Sequence, residues 1–172
     1  HSFSRRQRQM CIRDRSLATT DQLSGGRVTV GCGAGWMREE FEALNITDFD
    51  ARGRVTDEYI QVMKDLWTKG RASFHGEFIN FTDAAADPKP VQQPHPPIWI
   101  GGESMPAIRR TAALGDTWYP FGSNPKFRMD TIETFVARRD KLFAEAERLD
   151  RDPTSIGLAY NCAFHNEEAQ TH

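Results

Sequence analysis

A chain of 172 residues, 38% hydrophobic and 27% charged, has the length and polarity of one globular domain. Its 22 basic and 24 acidic residues leave a formal charge of −2, which gives no electrostatic reason to bind nucleic acid or an anionic membrane. No run of about 18 apolar residues is present to cross a bilayer, and no apolar stretch serves as a signal peptide. The three cysteines, Cys11, Cys32 and Cys162, have no metal-ligand spacing and are too few for a disulfide framework, so no metal site is expected and a reducing, cytoplasmic location follows.

The first sixteen residues stand apart. They hold five arginines (Arg5, Arg6, Arg8, Arg13 and Arg15) and no apolar periodicity. A basic nucleic-acid arm or a transit peptide would have this composition. The reading adopted is a non-native leader over residues 1–16, with an α/β domain over residues 17–172. Without the leader Lys+Arg falls from 22 to 17 and Asp+Glu from 24 to 23, so the charge moves from −2 to −6. An acidic remainder argues further against polyanion binding.

From Val28 to Cys32 the chain reads as a β-branched strand that breaks into alternating glycines, Gly31, Gly33 and Gly35, before Trp36 and an acidic helix from Met37 to Leu44. Trp36 falls where a dinucleotide fingerprint needs its third glycine, so that fingerprint fails; a methyltransferase-like glycine loop remains open. Thr56 is placed to cap a helix whose Tyr59, Ile60, Met63, Leu66 and Trp67 recur at helical spacing and form a core-facing stripe. Residues of about 71–96 read as an insertion: a small exposed hairpin over Ala72–Phe81, then the proline-rich Asp87–Pro97 as an extended connector or, alternatively, a proline-motif ligand. His75 and His95 have no second ligand at useful spacing and are expected in solvent-facing loops.

Pro97–Ile100 reads as a parallel strand buried on both faces, and Gly101-Gly102 then removes two Cβ atoms. Ser104 suits an N-cap, Pro106 the first turn, and Ala107–Leu114 a helix closed by Gly115. Such a turn is either an ordinary strand-to-helix connection or one whose amides and helix dipole hold an anion. Thr117–Phe121 is a short aromatic strand in which Trp118 lines a ring pocket or packs in the core. Asn124-Pro125 is expected to start a helix carrying Ile132, Phe135, Val136, Leu142, Phe143 and Ala146 on one side. Asp152-Pro153 ends it, and Ser155–Cys162 forms the next strand.

Six segments then stand in order: Leu23–Arg27, Val30–Trp36 with Glu39-Glu40-Phe41, Arg52-Gly53 with Asp57-Glu58, Pro88–Gln92, Pro96–Gly102 and Leu114–Trp118. Together they resemble the bacterial-luciferase-like monooxygenase superfamily, and within it the branch of coenzyme F420-dependent oxidoreductases. The resemblance implies a partial (β/α)8 TIM barrel, about strands four to seven with their helices, and an enzyme that transfers hydride between a reduced cofactor and a small organic substrate. It implies coenzyme F420, or alternatively FMN with molecular oxygen in a monooxygenase, bound at the C-terminal ends of the strands. Gly101, Gly102, Glu103 and Ser104 resemble the phosphate-holding turn, and Gly33, Ala34, Gly35 and Trp36 the loop beside the cofactor. Ala34 departs from relatives that carry a charged residue there. No catalytic residue is nominated, because the family's acids and bases lie on strands that this chain does not include. A homodimer is the expected assembly of a full-length member, and a non-catalytic binding module is the reading from another class.

Overall fold

The computed structural model describes residues 5–46, 49–122, 124 and 126–161, with side chains from residue 12 onward. The chain divides into two compact units, His1–Trp99 and Ile100–His172, with the boundary inside one strand. Cys162 and Pro125 lie outside the described residues.

In the first unit, α1 (Arg5–Ser24) runs without a break across residue 16, where the sequence suggested the end of a leader. Asp14, Ala18 and Asp21 form its buried face at i, i+4 and i+7. Two of the three are acids, which is why no apolar period marks this helix in the sequence. It ends in a Schellman motif: Gly26 N–H donates to the Asp21 carbonyl and Gly25 N–H to that of Gln22, with both glycines at positive φ.

Next come β1 (Val30–Cys32), α2 (Arg38–Ala43) and α3 (Arg52–Thr68). The expected stripe on α3 is present, with Ile60, Val62, Met63, Leu66 and Trp67 buried. Thr56, however, is no cap: the helix begins four residues earlier, and the Thr56 hydroxyl donates to the Arg52 carbonyl at 2.8 Å. The antiparallel hairpin of β2 (Ala72–His75) and β3 (Asn80–Ala84) pairs Phe74 with Phe81 and His75 with Asn80. It is less exposed than expected, because Ala72, Ile79 and Ala86 join Val62 and Leu66 in one apolar cluster. The turn of the hairpin closes on α3, where the Glu58 carboxylate accepts the N–H groups of Glu77, Phe78 and Ile79 at 2.6, 3.0 and 2.9 Å.

β4 (Ile98–Gly101) straddles the boundary, and its entry is paired to β1 by the Val30 N–H donating to the Pro97 carbonyl at 2.8 Å. In the second unit the strand order is β4, β5 (Thr117–Tyr119), β6 (Gly157–Leu158). β5 and β6 run parallel, with Thr117 opposite Gly157 and Trp118 opposite Leu158. α4 (Met105–Leu114) and α5 (Ile132–Glu147) pack on one another over a core of Ile108, Ala112, Trp118, Met129, Leu142, Ala146 and Ile156. Gly115 ends α4 in extended backbone, φ −88°, and not in the left-handed form; its missing side chain admits Ile100, whose Cγ1 would lie 2.6 Å from a Cβ there.

Two further helix boundaries differ from expectation. Thr131, not Asn124, caps α5 through a reciprocal bond with Thr134, and Ile132 is exposed. Asp152 does not stop α5 but caps the 3-10 turn Pro153–Ser155, accepting the Thr154 N–H at 2.9 Å.

Candidate functional site

The eight residues nominated from sequence fall in two turns, one in each unit. Gly31 within β1 and Gly33 just after it face open space, so a Cβ at either would touch nothing within 4 Å. Gly35 has φ +81°, and a Cβ there would lie 2.8 Å from the Phe41 ring, so both its backbone and its packing require glycine. Arg52, from the first turn of α3, fixes this loop by donating Nε–H to the Gly35 carbonyl at 3.0 Å and Nη1–H to that of Phe49 at 2.8 Å. Its guanidinium stacks 4.0 Å above the Phe49 ring, which meets Phe41 edge-on at 5.1 Å. Trp36, at the end of the loop, is 80% exposed. Ala34 is half-buried and carries no charge. Arg52 belonged to a recognised segment, but nothing in its spacing announced this role.

The turn after β4 is organised by its carbonyls. Gly102, at φ +120°, presents its carbonyl to the fully buried Trp118, whose indole N–H donates at 2.9 Å. The next carbonyl, that of Glu103, accepts Arg138 Nη1–H at 3.2 Å. A trans peptide points its N–H opposite to its C=O. The amide of Glu103 therefore faces away from the core, and that of Ser104 away from Arg138. Ser104 caps α4 as expected, its hydroxyl accepting the Ala107 N–H at 3.4 Å. The positive end of α4 and the amides of Glu103 and Ser104 thus share one turn.

Glu103 itself departs from a ligand-facing role. It is 3% exposed, and its carboxylate accepts the Phe121 N–H at 2.5 Å and Asn124 Nδ2–H at 2.6 Å. Asn124, expected as a helix cap, instead braces this acid. A carboxylate turned inward is the arrangement an anion-holding turn requires, since an outward one would repel the ligand. Trp118 resolves as core, stacked on Phe135 at 5.4 Å. His75 pairs with Asn80 across the hairpin at 2.7 Å, and His95 approaches the Pro96 carbonyl at 2.9 Å. Among the described residues no His, Cys, Asp and Glu side chains are grouped to hold a metal, and no helix is long and apolar enough to cross a membrane.

The strands and helices define an α/β fold with a parallel sheet, of the luciferase-like TIM-barrel type. The sequence matches the luciferase-like monooxygenase family over residues 15–172, and the chain belongs to that family. It is 38% identical over 134 residues to the FMNH(2)-dependent dimethylsulfone monooxygenase of Pseudomonas putida, covering 77% of this chain and 35% of that protein. It is 32% identical over 158 residues to the pyrimidine monooxygenase RutA of Allorhizobium ampelinum, covering 90% of this chain and 42% of that one. The coenzyme F420-dependent tetrahydromethanopterin reductase of Methanopyrus kandleri superposes with a TM-score of 0.75 at 18% identity, over 90% of this chain and 46% of that one, a likeness of fold. The chain thus spans about two-fifths of the length of the curated relatives it matches.

Proposed function

We propose that this chain contributes the phosphate-holding part of a reduced-flavin-type oxidoreductase, a cytoplasmic enzyme acting on a small organic molecule and assembling as a homodimer. The observation that carries the reading is the turn after β4, where glycine at positive φ, inward carbonyls and the start of α4 leave amides for an anion. A cofactor that ends in phosphate suits such a turn, and the residues present fit it: Gly102 takes a positive φ that side chains disfavour, Glu103 and Ser104 supply main-chain donors, and Ser104 holds the helix end in place.

Of the two cofactors implied by the resemblance, reduced FMN is the one named in a relative above 30% identity, and it is the reading preferred here. F420 appears in the name of a structure at 18% identity, which speaks to fold, and stays as the second reading. When bound, either group supplies the reducing equivalents. The chain's own residues bind and orient it: the amides at positions 103 and 104 fix the phosphate. Positioning of this kind is the protein's share of cofactor chemistry.

The test is calorimetric titration of the complete gene product carrying this chain with FMN and with F420. Micromolar binding of FMN with weaker binding of F420 is expected, and the reverse order would install the second reading. Binding of neither would leave the non-catalytic binding module in its place.

A further inference from the structure

The anion turn is braced from one side by a residue pair that the sequence did not connect. Arg138 sits near the middle of α5, 35 residues beyond Glu103, and donates Nη1–H to the Glu103 carbonyl at 3.2 Å. The carboxylate of the same Glu103 reaches the segment after β5, accepting from Phe121 N–H and Asn124 Nδ2–H. Asn124 is committed in turn, because its Oδ1 accepts the Lys126 N–H at 3.1 Å. The Arg138 guanidinium also lies 5.0 Å over the ring of Phe127, in that same segment. One residue of the turn is therefore held at its carbonyl by α5 and at its side chain by the loop that leads to α5.

We infer that Arg138 is a positioning residue for cofactor binding, acting through the peptide plane between Glu103 and Ser104, with the Glu103 carboxylate as its counterpart. This rests on the reading of the turn as a phosphate holder. With the carbonyl engaged by Arg138, the Ser104 N–H keeps one direction before any ligand arrives, and the cost of ordering it is met in the fold. A glycine-rich turn lacking such a tie would sample other peptide orientations. Glu103 adds to this because a buried charged acceptor binds its two donors more strongly than a neutral one.

The experiment uses the complete gene product and FMN. Arg138→Met removes the donor but keeps the aliphatic stem over Phe127. An affinity about ten-fold lower is expected, together with faster hydrogen exchange at the Ser104 amide in the cofactor-free protein and a melting temperature within a few degrees of the parent. Arg138→Lys, which keeps a donor, should recover part of the affinity. A second variant, Glu103→Gln, should weaken binding likewise, and adding Asn124→Asp should restore it, because an aspartate can accept from the new amide while still accepting from Lys126. Unchanged affinity in Arg138→Met overturns the inference. So does lost affinity with an unchanged Ser104 amide, which would make Arg138 a direct phosphate ligand. Failure of the parent to bind FMN or F420 would instead remove the reading beneath it.

Discussion

Gln92 gives both its main-chain and its side-chain N–H to the carboxylate of Asp21, at 3.0 and 2.7 Å. The Val91 N–H joins at 2.8 Å, and Gln92 Nε2 also donates to the Val28 carbonyl at 2.8 Å. One fully buried acid on α1 thereby fastens the proline-rich connector to the chain just before β1. Burial works to raise the carboxyl pKa of Asp21, but the donors from Gln92, Val28 and Val91 prevail and hold it below the usual carboxylate value.

Because the folded-state value is depressed, the stability contributed by Asp21 is fully present above its unfolded pKa of about 4 and is lost as pH falls through the folded value. Asp21→Asn would set a donor against the amides of Val91 and Gln92. It should lower stability by about 2 kcal/mol at pH 7 and flatten the acid side of the stability curve, as read by urea unfolding at several pH values.

Asp14, about two turns earlier on the same helix, has the opposite character. Both of its carboxyl oxygens are buried without a hydrogen-bond partner among the described residues, while its carbonyl accepts the Trp67 indole N–H at 3.1 Å. Burial raises its pKa, outweighing the charges of Arg15 and Lys89. The protonated form is thus the one favoured by folding, and stability declines as pH rises from the unfolded value through the folded one. Asp14→Ala is expected to raise the melting temperature at pH 7 and to do so less at pH 4. Equal shifts at both pH values would contradict a titrating carboxyl.

The hairpin turn depends on Glu58. Replacing it by alanine leaves the N–H groups of Glu77, Phe78 and Ile79 without their acceptor, at a cost of about 2–3 kcal/mol. Hydrogen exchange at Ile79, itself fully buried, should accelerate well before global unfolding. Gly76→Ala should do comparable harm, because a Cβ would fall 2.5 Å from the Glu58 carboxyl carbon.

At the candidate site, Gly102→Val combines a disfavoured φ of +120° with a Cβ 3.1 Å from that of Ala107. Ser104→Glu sets a carboxylate at the mouth of the turn. Both should abolish FMN retention in the complete gene product, measured by calorimetry. Parent affinity in both would reduce the turn to a structural connection.

Much of this was legible in the primary structure. The Gly-Gly turn, the Ser104 cap, the stripe on α3 and the hairpin are local features, each set by residues within a few positions of one another. What sequence pattern did not reveal is long-range. The buried face of α1 carries Asp14 and Asp21 in place of apolar residues, so its period was invisible. Asn124-Pro125 looks like a helix start, yet Asn124 is drawn to Glu103 across 21 residues, and the helix waits for Thr131. Nothing in the sequence tied Arg52 or Arg138 to their partners, which are carbonyls 17 and 35 positions away.

The four tryptophans are distributed unequally: Trp67 and Trp118 are sealed in, Trp99 is half-covered, and Trp36 stands in water. An aqueous quencher such as iodide will therefore dim the indole emission of one glycine-tethered position far more than the rest. This gives the protein an intrinsic optical gauge of events at the loop after β1, without a label or an assay of turnover.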